Sequence, residues 1–103
     1  MRELVKRPRA RQDLKDIWRY GFETWGETQA DHYLAELDAG MALLREHPAL
    51  GKARDELRPG YRCLQINEHL VYYLVTPSVI RIVRVLHVRM DPDRHSLSEK
   101  NGR

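Results

Sequence analysis

Residues 61–88 read YRCLQINEHLVYYLVTPSVIRIVRVLHV, and this stretch decides the fold. Three runs rich in β-branched and aromatic residues, 61–66, 70–75 and 79–88, are divided by short turn signals at Asn67-Glu68 and Thr76-Pro77-Ser78. Consecutive strands joined so tightly form an antiparallel meander. The last run is apolar on both alternating faces: Val79, Val83 and Val85 on one, Ile80, Ile82 and Leu86 on the other. A strand apolar on both sides belongs inside a sheet rather than at its edge. Arg81 interrupts the first of these faces, and an unpaired arginine buried there is too costly to be an option.

Upstream the period changes. Ala10, Leu14, Ile17, Trp18, Gly21 and Trp25 recur at helical spacing, which predicts a helix over about residues 9–25 with Pro8 near its first turn. Gly26 is a natural stop. Ala30, Tyr33, Leu34, Leu37, Met41 and Leu44 form a second stripe, ended by His47-Pro48 because the residue before proline disfavours helix. So short a link makes the two helices an antiparallel hairpin. Residues 3–6 form a short strand stopped by Pro8, and PALGKARDELRPG, residues 48–60, is a charged surface loop. The predicted order is β-α-α-β-β-β. This is α+β architecture, with a helical hairpin packed on one face of a mainly antiparallel sheet. One domain is expected over residues 1–95, with 96–103 a polar tail that frays.

Composition narrows the function classes. A chain of 103 residues holds one modest core. No apolar run approaches the roughly 18 residues of a membrane span, and MRELVKRPRARQDL has no apolar segment of a secretion signal. Cys63 is the only cysteine, so no internal disulfide and no cysteine-based zinc cluster can form. His32, His47, His69, His87 and His95 lack ligand spacing, so no metal and no cofactor are expected. A cytoplasmic setting suits all of this. Net charge is +3, and the basic set is 14 Arg against 4 Lys. Guanidinium forks suit carboxylates and phosphates, and such a surface favours an acidic partner.

Three words of sequence carry a resemblance: ARQDLKDIWRYGFETWGETQADHYL through the helices, ELRPGYR from Glu56, and IVRVLHVRMDPDRH at the end. Over roughly residues 5–95 the chain resembles the RelE/ParE toxin superfamily, closer to its ParE branch. The stretch from Arg84 to His95 is the most specific part. The resemblance implies a type II toxin–antitoxin system, in which a cognate ParD-like antitoxin wraps its tail across the helical hairpin and the sheet. For the ParE branch the implied target is DNA gyrase, poisoned so that breaks persist. For the RelE branch the implied activity is ribosome-dependent cleavage of mRNA. The shared fold does not choose between them. A non-toxic relative that only binds a partner is the third reading.

Metal-independent RNA cleavage needs a base, an acid and cations for the phosphate. Glu56, Arg62, Arg84 and His87 could supply them, with Arg81 and Arg89 nearby. Against this, Val88 follows His87 where some nucleases carry tyrosine, and no tyrosine lies beyond Tyr73. A gyrase poison needs no such chemistry and is not an enzyme. His87, ending a strand, also fits a structural role, hydrogen-bonded to a loop. Arg62, Arg81 and Arg84 are placed on adjacent strands, with Arg81 paired to Glu56 or Asp91, or Asp91 pairing with Arg84 instead. Trp18, sharing the stripe of Leu14 and Gly21, is expected in the core. Trp18, Trp25, Tyr33, Leu37, Arg58 and Arg81 make up the candidate antitoxin contact. Arg89, Met90, Asp91, Arg94 and His95, held by Pro92 on a stiff exit from the last strand, make up the candidate target contact. No sequence-specific DNA binding by the toxin alone is expected.

Overall fold

The computed structural model describes residues 1–90. Strand β1 (Glu3–Lys6) leads through Arg7 into α1 (Pro8–Trp25), and α2 (Glu27–Leu43) follows after one residue. Four strands complete the fold: β2 (Lys52–Ala53), β3 (Tyr61–Ile66), β4 (His69–Val75) and β5 (Val79–His87). They join β1 in a single sheet of order β1-β5-β4-β3-β2, with β1 parallel to β5 and every other pair antiparallel. The class and helical hairpin are those expected, and β5 lies inside the sheet. The loop of residues 48–60 corrects the prediction: it contributes β2, a fifth strand of two exposed residues paired with Cys63 and Arg62.

Proline fixes the φ that a first helical turn needs, so α1 begins at Pro8. The reversal between the helices falls on Gly26, at φ 99°, a backbone region that costs glycine little. Gly51 is needed for a different reason. Its N–H donates to the Tyr73 hydroxyl (2.8 Å), which donates onward to the Pro48 carbonyl (2.7 Å). A Cβ there would sit 2.7 Å from that hydroxyl oxygen.

The sheet buries both faces. Under the helices lie Ala10, Leu14, Leu37, Met41 and Leu44, packed on Val71, Tyr73, Ile80, Ile82 and Val85. The opposite face gathers Tyr61, Cys63, Tyr72, Val83 and Leu86, covered in part by Leu57 of the loop. Burial pushes the Cys63 thiol up, which keeps it protonated and unreactive. Val83 and Val85 therefore lie on opposite faces, not on the same one. Tyr72 pairs with Arg84 and Tyr73 with Ile82, so Val83 is an extra residue, a β-bulge. The bulge resets the alternation, and a strand with apolar residues on both faces gave no sign of it.

The bulge sits where β1 runs out. The β1–β5 pairing ends at Lys6 and Ile82, with Arg7 N–H closing on the Ile82 carbonyl at 3.0 Å. Asp13, on α1, supplies the next bond along that border. Its Oδ2 accepts the Val85 N–H at 2.9 Å, while both its oxygens accept from Arg84, Nε at 2.7 Å and Nη2 at 2.9 Å. The pair is largely buried, with side-chain exposures of 5% for Arg84 and 12% for Asp13. It ties the first helix to the last strand across 71 residues of chain. Two expectations fall here. Arg84 pairs with Asp13 and Glu56 bonds Arg54, while Asp91 lies outside the described residues. Arg62 is not on a strand adjacent to Arg81 and Arg84, because β4 lies between β3 and β5.

Removing one partner of a buried ion pair leaves the other charge uncompensated. Asp13→Ala also strips the Val85 N–H of its acceptor, so a loss of about 3 kcal/mol is expected in urea denaturation. A loss below about 1 kcal/mol, the range of an exposed pair, would show that water replaces the carboxylate.

Candidate functional site

A groove of about 780 Å³ opens between the hairpin's tip and the ends of β4 and β5. Tyr20 and Trp25 come from the last turns of α1, Tyr33 from α2, His69 and His87 from the sheet, and Met90 stands at its rim. The helices approach closely beneath it because Gly21 faces Ala30, where an added Cβ would come within 3.4 Å. The rings at the tip are wet: Tyr20 is 64% exposed and Trp25 65%. They pack edge to face at 5.9 Å, while Phe22, also exposed, stacks separately on Trp18. Paired exposed rings such as Tyr20 and Trp25 are the kind of apolar patch that interaction surfaces present.

The groove's polar wall is a chain of hydrogen-bonding groups. The Tyr33 hydroxyl lies 2.6 Å from His69 Nδ1 and accepts the Glu68 N–H at 3.1 Å. The His69 and His87 rings meet edge to face at 5.4 Å. His87 Nδ1 in turn accepts the Arg89 N–H at 3.1 Å. Burial, then the neighbouring His87, lower the His69 pKa from 6.5 to about 4, against the opposing pull of Glu68 and Asp13. Burial likewise raises Tyr33. The groove therefore offers aromatic area and hydrogen-bonding edges, with the Asp13–Arg84 pair forming part of its wall. Among the described residues no three His, Cys, Asp or Glu side chains converge as metal ligands.

The candidate ribonuclease residues do not gather. Arg84 and His87 line the groove, with Arg84 engaged by Asp13. Glu56 is bonded to Arg54 in the loop. Arg62 props the turn before β2, donating to the Gly51 carbonyl (2.9 Å) and the Ala49 carbonyl (3.3 Å).

The candidate antitoxin contact divides as well. Trp25 and Tyr33 meet in the groove. Leu37 is fully buried beneath α2 and presents nothing to a partner. Trp18 is not in the core: it is half-buried between the helices, its Nε1 donating to Asp31 at 2.8 Å. Arg58 lies in the loop beyond β2, and Arg81 shares the face of its register partner Leu74, away from the helices. Of the target-contact residues, Arg89 and Met90 are exposed directly after β5, while Asp91, Arg94 and His95 lie outside the described residues. The residues missed were Asp13, Tyr20 and His69. Asp13 had a readable signal, a carboxylate between Ala10, Leu14 and Ile17 on the apolar stripe. His69 had none, standing beside a turn like any solvated residue.

Comparison with known proteins gives these features a context. The family described as ParE toxin of type II toxin-antitoxin system, parDE, matches residues 4–92. Toxin ParE1 of Mycobacterium tuberculosis is 44% identical over 89 residues, covering 85% of this chain and 91% of that protein. Toxin ParE1 of Caulobacter vibrioides is 42% identical over 87 residues, 84% and 90% of the two chains. Toxin ParE of Escherichia coli is 35% identical over 85 residues, 80% and 81% of the two chains. A solved structure titled as a chromosomal ParDE TA system from P. aeruginosa contains a chain of the same fold. It superposes with a TM-score of 0.75 at 21% identity, over 84% of this chain and 96% of that one.

The depressed His69 pKa has a consequence for stability. The unfolded chain takes up this proton near 6.5 and the folded one only near 4. Stability from this group is complete above the higher value and is lost as pH falls toward the lower. Histidine-resolved NMR should place the His69 titration near 4. His69→Gln should flatten the acid limb of a denaturation series, and an unchanged limb would assign that limb to other groups.

Proposed function

Because the chain belongs to the ParE toxin family of type II toxin–antitoxin systems, we propose that it is a cytoplasmic toxin that poisons DNA gyrase until a cognate ParD-like antitoxin occupies its groove. The observation that carries the antitoxin half is the set of wet rings at the tip of the helical hairpin. Tyr20 and Trp25 stand open beside the more enclosed Tyr33 and His69. An amphipathic segment laid along this flank would bury the rings and find hydrogen-bonding edges beneath them. Aromatic anchors of this kind dominate interface energies.

The target half is supported by what the ribonuclease residues do instead. Arg84 is neutralised by a bidentate carboxylate, and Glu56 and Arg62 hold loops. Among the described residues these candidates do not stand together as base, acid and unengaged cation. A poison acts through a surface, and the exit from β5 is our choice for it. Arg89 and Met90 leave the rigid strand into solvent, followed by the charged word Asp91, Arg94, His95.

Two measurements bear on this reading. Trp25→Ala should weaken antitoxin binding by about 2 kcal/mol in calorimetry, the range of an interface hot spot. It should leave the melting temperature of the free toxin unchanged, and full affinity would move the antitoxin elsewhere. Purified toxin added to gyrase and supercoiled plasmid should accumulate cleaved DNA. Arg89→Ala with Arg94→Ala should abolish this accumulation while antitoxin binding persists. Defined cuts in ribosome-bound mRNA, lost on His87→Ala, would instead establish a ribonuclease.

A further inference from the structure

The first eleven residues carry Arg2, Lys6, Arg7, Arg9 and Arg11 against Glu3 alone, a surplus that exceeds the +3 of the whole chain. Folding adds Arg45 to this charge and arranges three of the guanidiniums alike. Arg45 Nε donates to the Arg2 carbonyl at 3.2 Å, Arg2 Nε to the Thr76 carbonyl at 2.7 Å, and Arg11 Nε to the Lys6 carbonyl at 3.3 Å. Among the described residues none of these three pairs with a carboxylate. Each has its Nε committed to backbone, which leaves the two terminal amino groups of the fork for a ligand.

A guanidinium already tethered through Nε has given up most of its rotamer freedom, so binding through its outer edge costs less. The helix beside them strengthens the field. α1 has no acidic residue in its first turn and no side-chain cap. Carboxylates are favoured at that position and cations are not. Arg11 thus adds to the helix's positive end, and an external polyanion relieves the repulsion.

We propose that this ridge, along β1 and the first turn of α1, docks the phosphate backbone of duplex DNA through Arg2, Arg11 and Arg45, without sequence preference. Single strands are held by aromatic platforms on which bases stack. The ridge has none: residues 1–11 contain no aromatic ring, and Tyr20, Phe22 and Trp25 lie toward the other end of the helix. That end is about 27 Å away for an 18-residue helix at 1.5 Å per residue. The choice of DNA over duplex RNA rests on the gyrase reading; the docking of duplex phosphate does not.

The test is fluorescence anisotropy of the purified full chain with a labelled 20-bp DNA duplex, the matching RNA duplex, oligo-dT and poly-glutamate as probes. Three phosphate contacts predict a log–log salt slope near about −3 on duplex DNA. R2Q/R11Q/R45Q should bind at least about tenfold more weakly, with a slope near zero and an unchanged melting temperature. R2K/R11K/R45K should keep the slope and lose part of the affinity, since charge remains and the fork does not. No binding to duplex DNA, undiminished binding by the glutamine triple variant, or tighter binding to any of the other three probes would overturn the proposal. The gyrase assay separates the two readings. DNA binding without trapped cleavage removes gyrase and keeps the ridge, and trapped cleavage without DNA binding does the reverse.

Discussion

The carboxylate of Asp13 is the point on which the rest of the architecture turns. Strand β1 is only four residues long because Pro8 cannot donate to a ladder and instead begins a helix. The second half of β5 is therefore left with an open border. A side chain from that same helix fills the gap, accepting the Val85 N–H in place of a strand neighbour. Arg84 compensates the charge so introduced. Helix, bulge and ion pair thus follow from one another. A longer β1 would make the carboxylate unnecessary, and without the carboxylate the bulged strand would leave polar groups unsatisfied.

The same pair sets the character of the groove. A guanidinium held by both oxygens of a carboxylate contributes little net charge to the surface it lines. The two histidines beside it are both hydrogen-bonded through Nδ1. What remains is shape, aromatic area and a few directional hydrogen bonds. The chain's excess positive charge is gathered elsewhere, along β1 and the start of α1.

Much of this architecture could be read from residue order, and the exceptions have physical causes. Ala10, Leu14, Leu37, Met41 and Leu44 announce the helical stripes and are all buried. The tight turn at Asn67 is visible as an asparagine, and it takes a positive φ of 54°. The bulge at Val83 was hidden because valine suits either face of a strand buried on both. β2 was hidden because two residues carry no period. Trp18 was misjudged because spacing gives a direction and not a depth: it sits at the edge of the stripe, where its ring lies between helices and its N–H reaches Asp31. For the site, Trp25 and Tyr33 were legible as aromatic residues near the interhelical turn. The converging His69, His87 and Asp13 were not, since their meeting depends on strand order that pairs the start of β4 with the end of β5.

A sheet of this kind has two borders that could recruit strands from other molecules, and both are kept short. On one side β2 offers two residues, Lys52 among them. On the other, β1 stops at Pro8 and Asp13 occupies the stretch of β5 left open. Short, charged or obstructed borders are how sheets avoid adding strands from neighbouring molecules. Asp13 thus does more than anchor a helix: by taking the Val85 N–H on the open border of an apolar strand, it obstructs pairing there by another copy. A toxin with exposed rings on its helical hairpin already carries one sticky surface. Closing the sheet means that when copies accumulate without their antitoxin, association is confined to that flank and cannot spread as continuous β-structure.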